Sequence, residues 1–133
     1  MPAVDVVVVS FGYGHGTPPE ATITLDLRHA FRDPHVDPRL RHMTAADRPV
    51  RLAVLRTPGI RPLMKATVAQ VQAYRKGPSA SQIVIAVGCV GGRHRSATVA
   101  HYLARRLTRR GMQVELQHRD LAKPVITPLA HPA

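Results

Sequence analysis

Nine consecutive residues, Gly88-Cys89-Val90-Gly91-Gly92-Arg93-His94-Arg95-Ser96, bring together glycines, a thiol, two guanidiniums, an imidazole and a hydroxyl. That mixture suits an oxyanion. Gly88, Gly91 and Gly92 let the backbone curl closely around a ligand, because each tolerates positive φ. Arg93, His94 and Arg95 supply side-chain donors at the same spot. If a helix starts where the stretch ends, the unpaired N–H groups of its first turn join them, with roughly half a positive charge from the aligned peptide dipoles. The residues expected to hold a phosphate are therefore Cys89, Val90, Gly91, Gly92, Arg93, His94, Arg95 and Ser96. A glycine turn with solvated arginines is the blander reading, and three adjacent donors make it the weaker one.

The residues after the glycines narrow the type of phosphate loop. The Walker pattern needs G-x-x-x-x-G-K-[ST], and no Lys-Ser or Lys-Thr pair comes after a glycine here. The spacing of Cys89, five residues, and then Arg95-Ser96 resembles the signature loop of cysteine-dependent protein tyrosine phosphatases. In that chemistry Cys89 would attack phosphorus, Arg95 would clamp the equatorial oxygens, and an aspartate such as Asp26, Asp33 or Asp37 would be the general acid. Gly88 stands where those enzymes usually carry histidine. The plain alternative for Cys89 is a small apolar residue at a strand end.

The elements that position this loop are legible on either side of it. Ile83 to Val87 is an apolar, β-branched strand, and after Ser96 the residues Val99, Leu103 and Leu107 recur every four positions, with Gly111 in the stop position. Met112 to Leu116 reads as a final strand. Strand, loop, helix and strand from Ile83 to Leu116 make a βαβ unit, which implies a right-handed crossover and neighbouring parallel strands. Earlier in the chain, Val4 to Val9 reads as a buried strand, Ser10 to Pro19 as a loop, and Ala21 to Leu27 as a second strand. Arg28 to Pro49 shows little periodicity. Arg51 to Leu55 starts a short helix stopped near Thr57-Pro58-Gly59, and Leu63 to Tyr74 is helical up to Gly77-Pro78. The fold class is α/β: one domain over residues 1–122, a mostly parallel sheet flanked by helices, and a loose proline-rich tail over 123–133.

At 133 residues there is no room for a second full-sized domain, and 44% apolar residues suffice for a modest core. The single cysteine excludes an internal disulfide framework, and eight histidines without an i, i+4 pair give no metal site. No cofactor is expected. No stretch approaches 18 consecutive apolar residues, so the expectation is a soluble cytoplasmic protein with no membrane partner. Nineteen Lys and Arg against eight Asp and Glu leave a net charge of +11, a surface that attracts polyanions. Arg105, Arg106, Arg109, Arg110, Arg119 and Lys123 form the candidate polyanion or RNA face. A GC-rich genome gives the same arginine bias without functional meaning. Five aromatics and no Trp argue against a base-stacking platform.

A longer resemblance covers nearly the whole chain. The Gly88–Ser96 stretch is similar to the hallmark of the C-terminal domain of the RNase adapter family of RapZ and its YvcJ relatives. The similarity extends to Ser10-Phe11-Gly12, Asp26-Leu27-Arg28, the run from Asp33 to Arg41, Met43-Thr44, Asp47-Arg48-Pro49-Val50 and His118-Arg119-Asp120-Leu121. It implies an α/β fold that binds glucosamine-6-phosphate, contacts small regulatory RNA through basic residues, and self-associates. By motif, the phosphate would sit on Cys89 to Ser96, with Asp26 and His35 reaching the sugar.

The chain departs from that family in three places. It lacks the N-terminal nucleotide-binding P-loop domain, and Met1 favours a stand-alone version. Gly14 and His15 stand where the relatives commonly place a lysine and a tyrosine. The basic end is shortened after Lys123. Three functions therefore stay open: a metabolite-sensing module with an RNA or regulatory-protein partner, a cysteine-based phosphatase, and a partner-binding domain that has lost its ligand.

Overall fold

The computed structural model describes residues 3–31 and 38–124. Its regular elements are β1 (Val6–Gly12), β2 (Ile23–Asp26), α1 (Arg48–Leu55), α2 (Ile60–Arg75), β3 (Ile83–Cys89), α3 (Arg95–Arg109) and β4 (Val114–His118). Short 3-10 turns occupy Tyr13–His15 and Pro38–Leu40. The strands form one sheet in the order β2-β3-β1-β4, and every pairing is parallel.

Parallel strands buried in a core read as near-continuous apolar runs, and β1 and β3 do so. Both extend further than their β-branched blocks suggest. The register pairs Phe11 with Gly88 and Gly12 with Cys89. The ladder thus continues into residues whose glycine content reads as loop. Buried Phe11 and the contact between Ser10 Oγ and His118 Nδ1 at 2.6 Å hold that extension in place. The expected neighbouring of the two strands joined by α3 is corrected: β1 lies between β3 and β4. The two apolar strands β1 and β3 share one burial pattern and take the inner positions, and the mostly exposed β4 takes the edge beside β1.

The helices α1, α2 and α3 cover one face of the sheet. Their buried residues Val50, Val54, Met64, Val68, Val71, Leu103 and Leu107 join Val6, Val8, Ile83, Ile85 and Val87 in one core. Along α3, Val99, Leu103 and Leu107 form the buried stripe anticipated from their spacing. Each large aliphatic side chain fully buried there stabilises the fold by about 1.5–3 kcal/mol relative to exposure. The opposite face of the sheet carries a smaller cluster of Val9, Phe11 and Ala86.

Helix α2 starts at Ile60, earlier than the Leu63 expected. Gly59 turns the chain in with φ 92°, and Pro62 lies in the first turn, where its missing N–H is no loss. Helix α1 likewise starts at Arg48 with Pro49 inside its first turn. Among the described residues, no helix is long and apolar enough to cross a membrane.

The topology selects one end of the sheet. From β1 the chain runs toward β2, and from β3 it runs through α3 toward β4, on the other side. Adjacent strands whose connections leave in opposite directions open a crevice at their carboxyl ends, where open α/β sheets bind ligands. Gly12 and Cys89 are paired at that point.

Candidate anion-binding site

The loop from β3 to α3 lies against the end of β1, and the approach is glycine to glycine. A Cβ on Gly12 would stand 2.6 Å from the carbonyl carbon of Gly91, and one on Gly92 would stand 2.8 Å from Gly12 N. Gly92 also has φ +77°, so it meets both the conformational and the steric demand. Gly88 serves differently from the expectation of positive φ. A Cβ there would collide with the Phe11 and Tyr13 rings. That is the physical reason glycine, and not histidine, precedes the cysteine in this chain. Gly14 N donates to Val90 O at 3.0 Å and closes the contact between the two loops.

Cys89 is buried beneath the loop. Gly92 N donates to its Sγ at 3.2 Å, and Ser96 Oγ lies 3.2 Å from the same sulfur. Ser96 Oγ also donates to Phe11 O at 3.2 Å. Thiol and hydroxyl are therefore the internal bracing of the loop. Helix α3 begins directly above them. His94 is its N-cap residue without a side-chain capping bond, and the first intrahelical bond runs from Thr98 N to His94 O at 3.0 Å. The N–H groups of Arg95, Ser96 and Ala97 precede that bond and have no carbonyl within the helix. They are the donors a bound oxyanion would use.

The three side-chain donors of the motif are directed mostly at backbone. Arg93 donates to Lys123 O at 2.8 Å and His42 O at 3.2 Å. His94 Nε2 lies 2.7 Å from Met43 O. Arg95 donates to Leu27 O at 3.2 Å and Phe31 O at 3.1 Å. Together they draw the segments after β2, before α1 and after β4 around the loop. Ala45 N returns a bond to Arg93 O at 2.8 Å. Arg93 Nε is buried with no acceptor among the described residues.

Asp120 is a site residue that the chemistry of the motif alone does not single out. It is fully buried, accepts from Gly12 N at 2.7 Å and from Arg119 Nε at 2.9 Å, and lies 2.6 Å from Lys123 Nζ. Burial alone would raise its pKa. The bonds from Arg119, Gly12 N–H and Lys123 outweigh burial and hold the carboxyl at about 2. Its Cβ side abuts Gly92, so one carboxylate braces both loops from below. The signal present in the sequence is an acid placed two residues past the last strand, close to two cations.

The cationic residues of the sequence reading fall into two places. Arg119 and Lys123 belong to the loop end, bound to Asp120, and Arg119 also donates to Gly12 O at 3.3 Å. Lys123, read as the first residue of the tail, is thus tied into the fold. The rest of that tail, 125–133, lies outside the described residues. Arg105, Arg106, Arg109 and Arg110 lie at the other end of α3, about 15 Å or more along its axis from Arg95 at 1.5 Å per residue.

Asp26 stands at the same sheet end, paired with Gly88 in the register. Arg28 grips it with bonds of 3.0 and 2.7 Å, and the guanidinium lies 3.6 Å from the centre of the Tyr13 ring. Hydrogen bonding from Arg28 lowers the Asp26 pKa, and burial raises that of Tyr13, helped by the nearby Asp26 charge. An aspartate kept ionised in this way is a poor general acid, and Arg95 is engaged with carbonyls beside β2. Among the described residues, Cys89 is engaged with Gly92 and Ser96, Arg95 with the carbonyls of Leu27 and Phe31, and Asp26 with Arg28. His35, Asp33 and Asp37 lie outside the described residues.

Comparison with known proteins places these features in a group. The family model of the RapZ C-terminal domain matches residues 4–122. A nucleotide-binding protein of Thermobifida fusca is 39% identical over 119 residues, covering 87% of this chain and 40% of that protein. A nucleotide-binding protein of Rhodospirillum centenum is 42% identical over 125 residues, 90% of this chain and 37% of that protein. The RNase adapter protein RapZ of Photorhabdus laumondii is 36% identical over 123 residues, 90% of this chain and 43% of that protein. The chain spans about two fifths of the length of these curated relatives.

Proposed function

The chain belongs to the RapZ C-terminal domain family, and we propose that it is a sensing module for a phosphorylated amino sugar of the glucosamine-6-phosphate type, held on the loop from Cys89 to Ser96. The observation that carries this reading is the uncapped start of α3 over a braced glycine loop. The phosphate would lie on the N–H groups of the first helical turn. Asp26, kept ionised at the same sheet end, suits the ammonium group of an amino sugar. The side chains of Arg93, His94 and Arg95 hold neighbouring segments to the loop, so occupancy would be transmitted to the segment before α1 and to the last residues of the fold.

The module would act as a regulatory adapter. Its partner is RNA met through the arginines at the far end of α3, and the domain self-associates. Support comes from the RNase adapter among its relatives and from the net charge of +11. Sedimentation at working concentration tests self-association: a monodisperse monomer overturns it.

Phosphorus NMR of the protein with glucosamine-6-phosphate, followed over hours, tests the sensing function. The expected result is a shifted or broadened sugar-phosphate resonance with no free phosphate. An unchanged resonance at millimolar ligand overturns it. Growth of an inorganic phosphate peak, absent in Cys89→Ser, would replace sensing by hydrolysis.

A further inference from the structure

At the far end of α3, four guanidiniums meet. Arg105, Arg106 and Arg109 from α3 and Arg61 from α2 line a cleft of about 200 Å³ floored by Met64, Leu55 and Tyr102. Among the described residues none of the four is in a salt bridge, and no acidic residue lines the cleft.

Local stability explains only part of this convergence. Arg106 and Arg109 lie in the last turn of α3, where cations complement the helix dipole. Arg61 is in the first turn of α2, at the positive end of a 16-residue helix that has no acidic residue there. A cation in that position is unfavourable by the same argument. Its repulsion from three further guanidiniums adds to the cost. A bound anion reverses both effects.

The shape narrows the anion. A second groove, of about 380 Å³, lies along the other flank of the same ridge and is lined by His101, Ala104, Arg105, Thr108, Arg109, Val114 and Leu116. Arg105 and Arg109 line both grooves. A track on both sides of shared arginines fits a chain of phosphates better than one phosphate. The Tyr102 ring is already attended by the His101 ring, 4.8 Å away and edge-on, and by Arg105 at 5.9 Å. It is also partly buried against the core, so it is not an open platform for a stacked base.

We infer that the α2–α3 cleft is a binding site for the phosphodiester backbone of a nucleic acid, with Arg61 and Arg106 as its central contacts. The site is separate from the loop at Cys89–Ser96. It rests on the proposed RNA-partner function and specifies where and how that partner is held: by backbone phosphates, with little regard to base sequence.

Fluorescence anisotropy with a labelled single-stranded RNA and a DNA of the same sequence, from about 50 to 300 mM salt, tests the site. Arg61→Gln and Arg106→Gln are compared with Lys76→Gln, which removes one charge at the opposite end of α2. Each cleft substitution is expected to weaken binding about tenfold and to reduce the salt slope by ~0.7 log units per log unit of salt. Lys76→Gln should leave the slope near its starting value. Thermal unfolding without nucleic acid supplies a second readout: Arg61→Gln should melt no lower than the unsubstituted protein. Equal effects of all three substitutions would overturn the cleft as the site and leave RNA binding standing. Absence of RNA and DNA binding at about 50 mM salt would overturn the RNA partner and the cleft together. Binding of RNA alone would identify RNA as the source of the backbone, and equal binding of both would identify a site indifferent to the sugar.

Discussion

The two ends of α3 use arginine in opposite ways. At the amino end, Arg93 and Arg95 direct guanidinium bonds at the carbonyls of Leu27, Phe31, His42 and Lys123. Recognition in the proposed cradle falls to backbone N–H groups held in place by those bonds. At the carboxyl end, Arg105, Arg106 and Arg109 stand beside Arg61 with no carboxylate partner among the described residues, and the side chains themselves form the proposed binding surface. A rigid backbone cradle suits a small ligand of fixed shape, because preorganised donors lose little entropy on binding. A set of long cations suits a flexible polymer.

That contrast can be broken in order of decreasing effect. Asp120→Ala removes the carboxylate beneath the cradle and leaves Gly12 N–H buried without its acceptor. It should destabilise the protein by on the order of 3 kcal/mol in urea unfolding; a change smaller than about 1 kcal/mol would show that the cradle does not depend on this brace. Acid probes the same group. Asp120 titrates at about 2 in the fold and near ~3.9 when unfolded. A depressed folded pKa means that its contribution is complete above about pH 4 and is lost as pH falls through about 2. Stability should therefore fall with acid between about pH 4 and 2, and Asp120→Ala should flatten that dependence.

Gly92→Ala comes next. Positive φ and the closeness of Gly12 N, Asp120 Cβ and the Phe11 carbonyl carbon give it nowhere to move. A loss of roughly 2 kcal/mol is expected, with sugar-phosphate binding abolished in the NMR titration. Arg95→Gln gives up the bonds to Leu27 and Phe31 and should cost about 1 kcal/mol. Its binding loss should accompany loosening of the segment after β2, visible as faster amide exchange at Leu27 and Phe31. Smallest is Arg110→Gln, exposed beyond the last turn of α3. Its stability should stay within about 0.5 kcal/mol of the starting protein. A large fall at Arg110 together with a small one at Arg95 would invert the contrast.

Much of the fold is legible in the sequence, and the exceptions share a cause. The α/β class, the strand before Gly88, the helix after Ser96 and the loop between them are set by local periodicity and by glycine, whose signals lie within a few residues. The place of β4 beside β1 is not. It depends on which of two equally buried inner strands the exposed β4 flanks, a property of the assembled sheet. Asp120 and Arg61 are hard to read for the same reason. Asp120 lies in a block that carries the family resemblance and Arg61 in none, but the role of each comes only from distant partners: Gly12 and Gly92 for Asp120, α3 for Arg61. Gly88 is the instructive middle case. Its departure from a phosphatase pattern is plain in the sequence, while the rings of Phe11 and Tyr13 that exclude a side chain there are visible only in three dimensions.

The bond from Gly12 N–H to Asp120 joins residues 108 positions apart. The cradle consequently has no early, locally formed version: its floor is laid by the last strand's exit and its wall by the first strand's. Contacts of such long sequence separation form late, after chain-closure entropy has been overcome. A nascent chain of this protein would thus present strands and helices before it presents a receptor. A ligand that binds only the closed cradle would act on the finished chain alone, drawing the folding equilibrium toward completion in proportion to its own concentration.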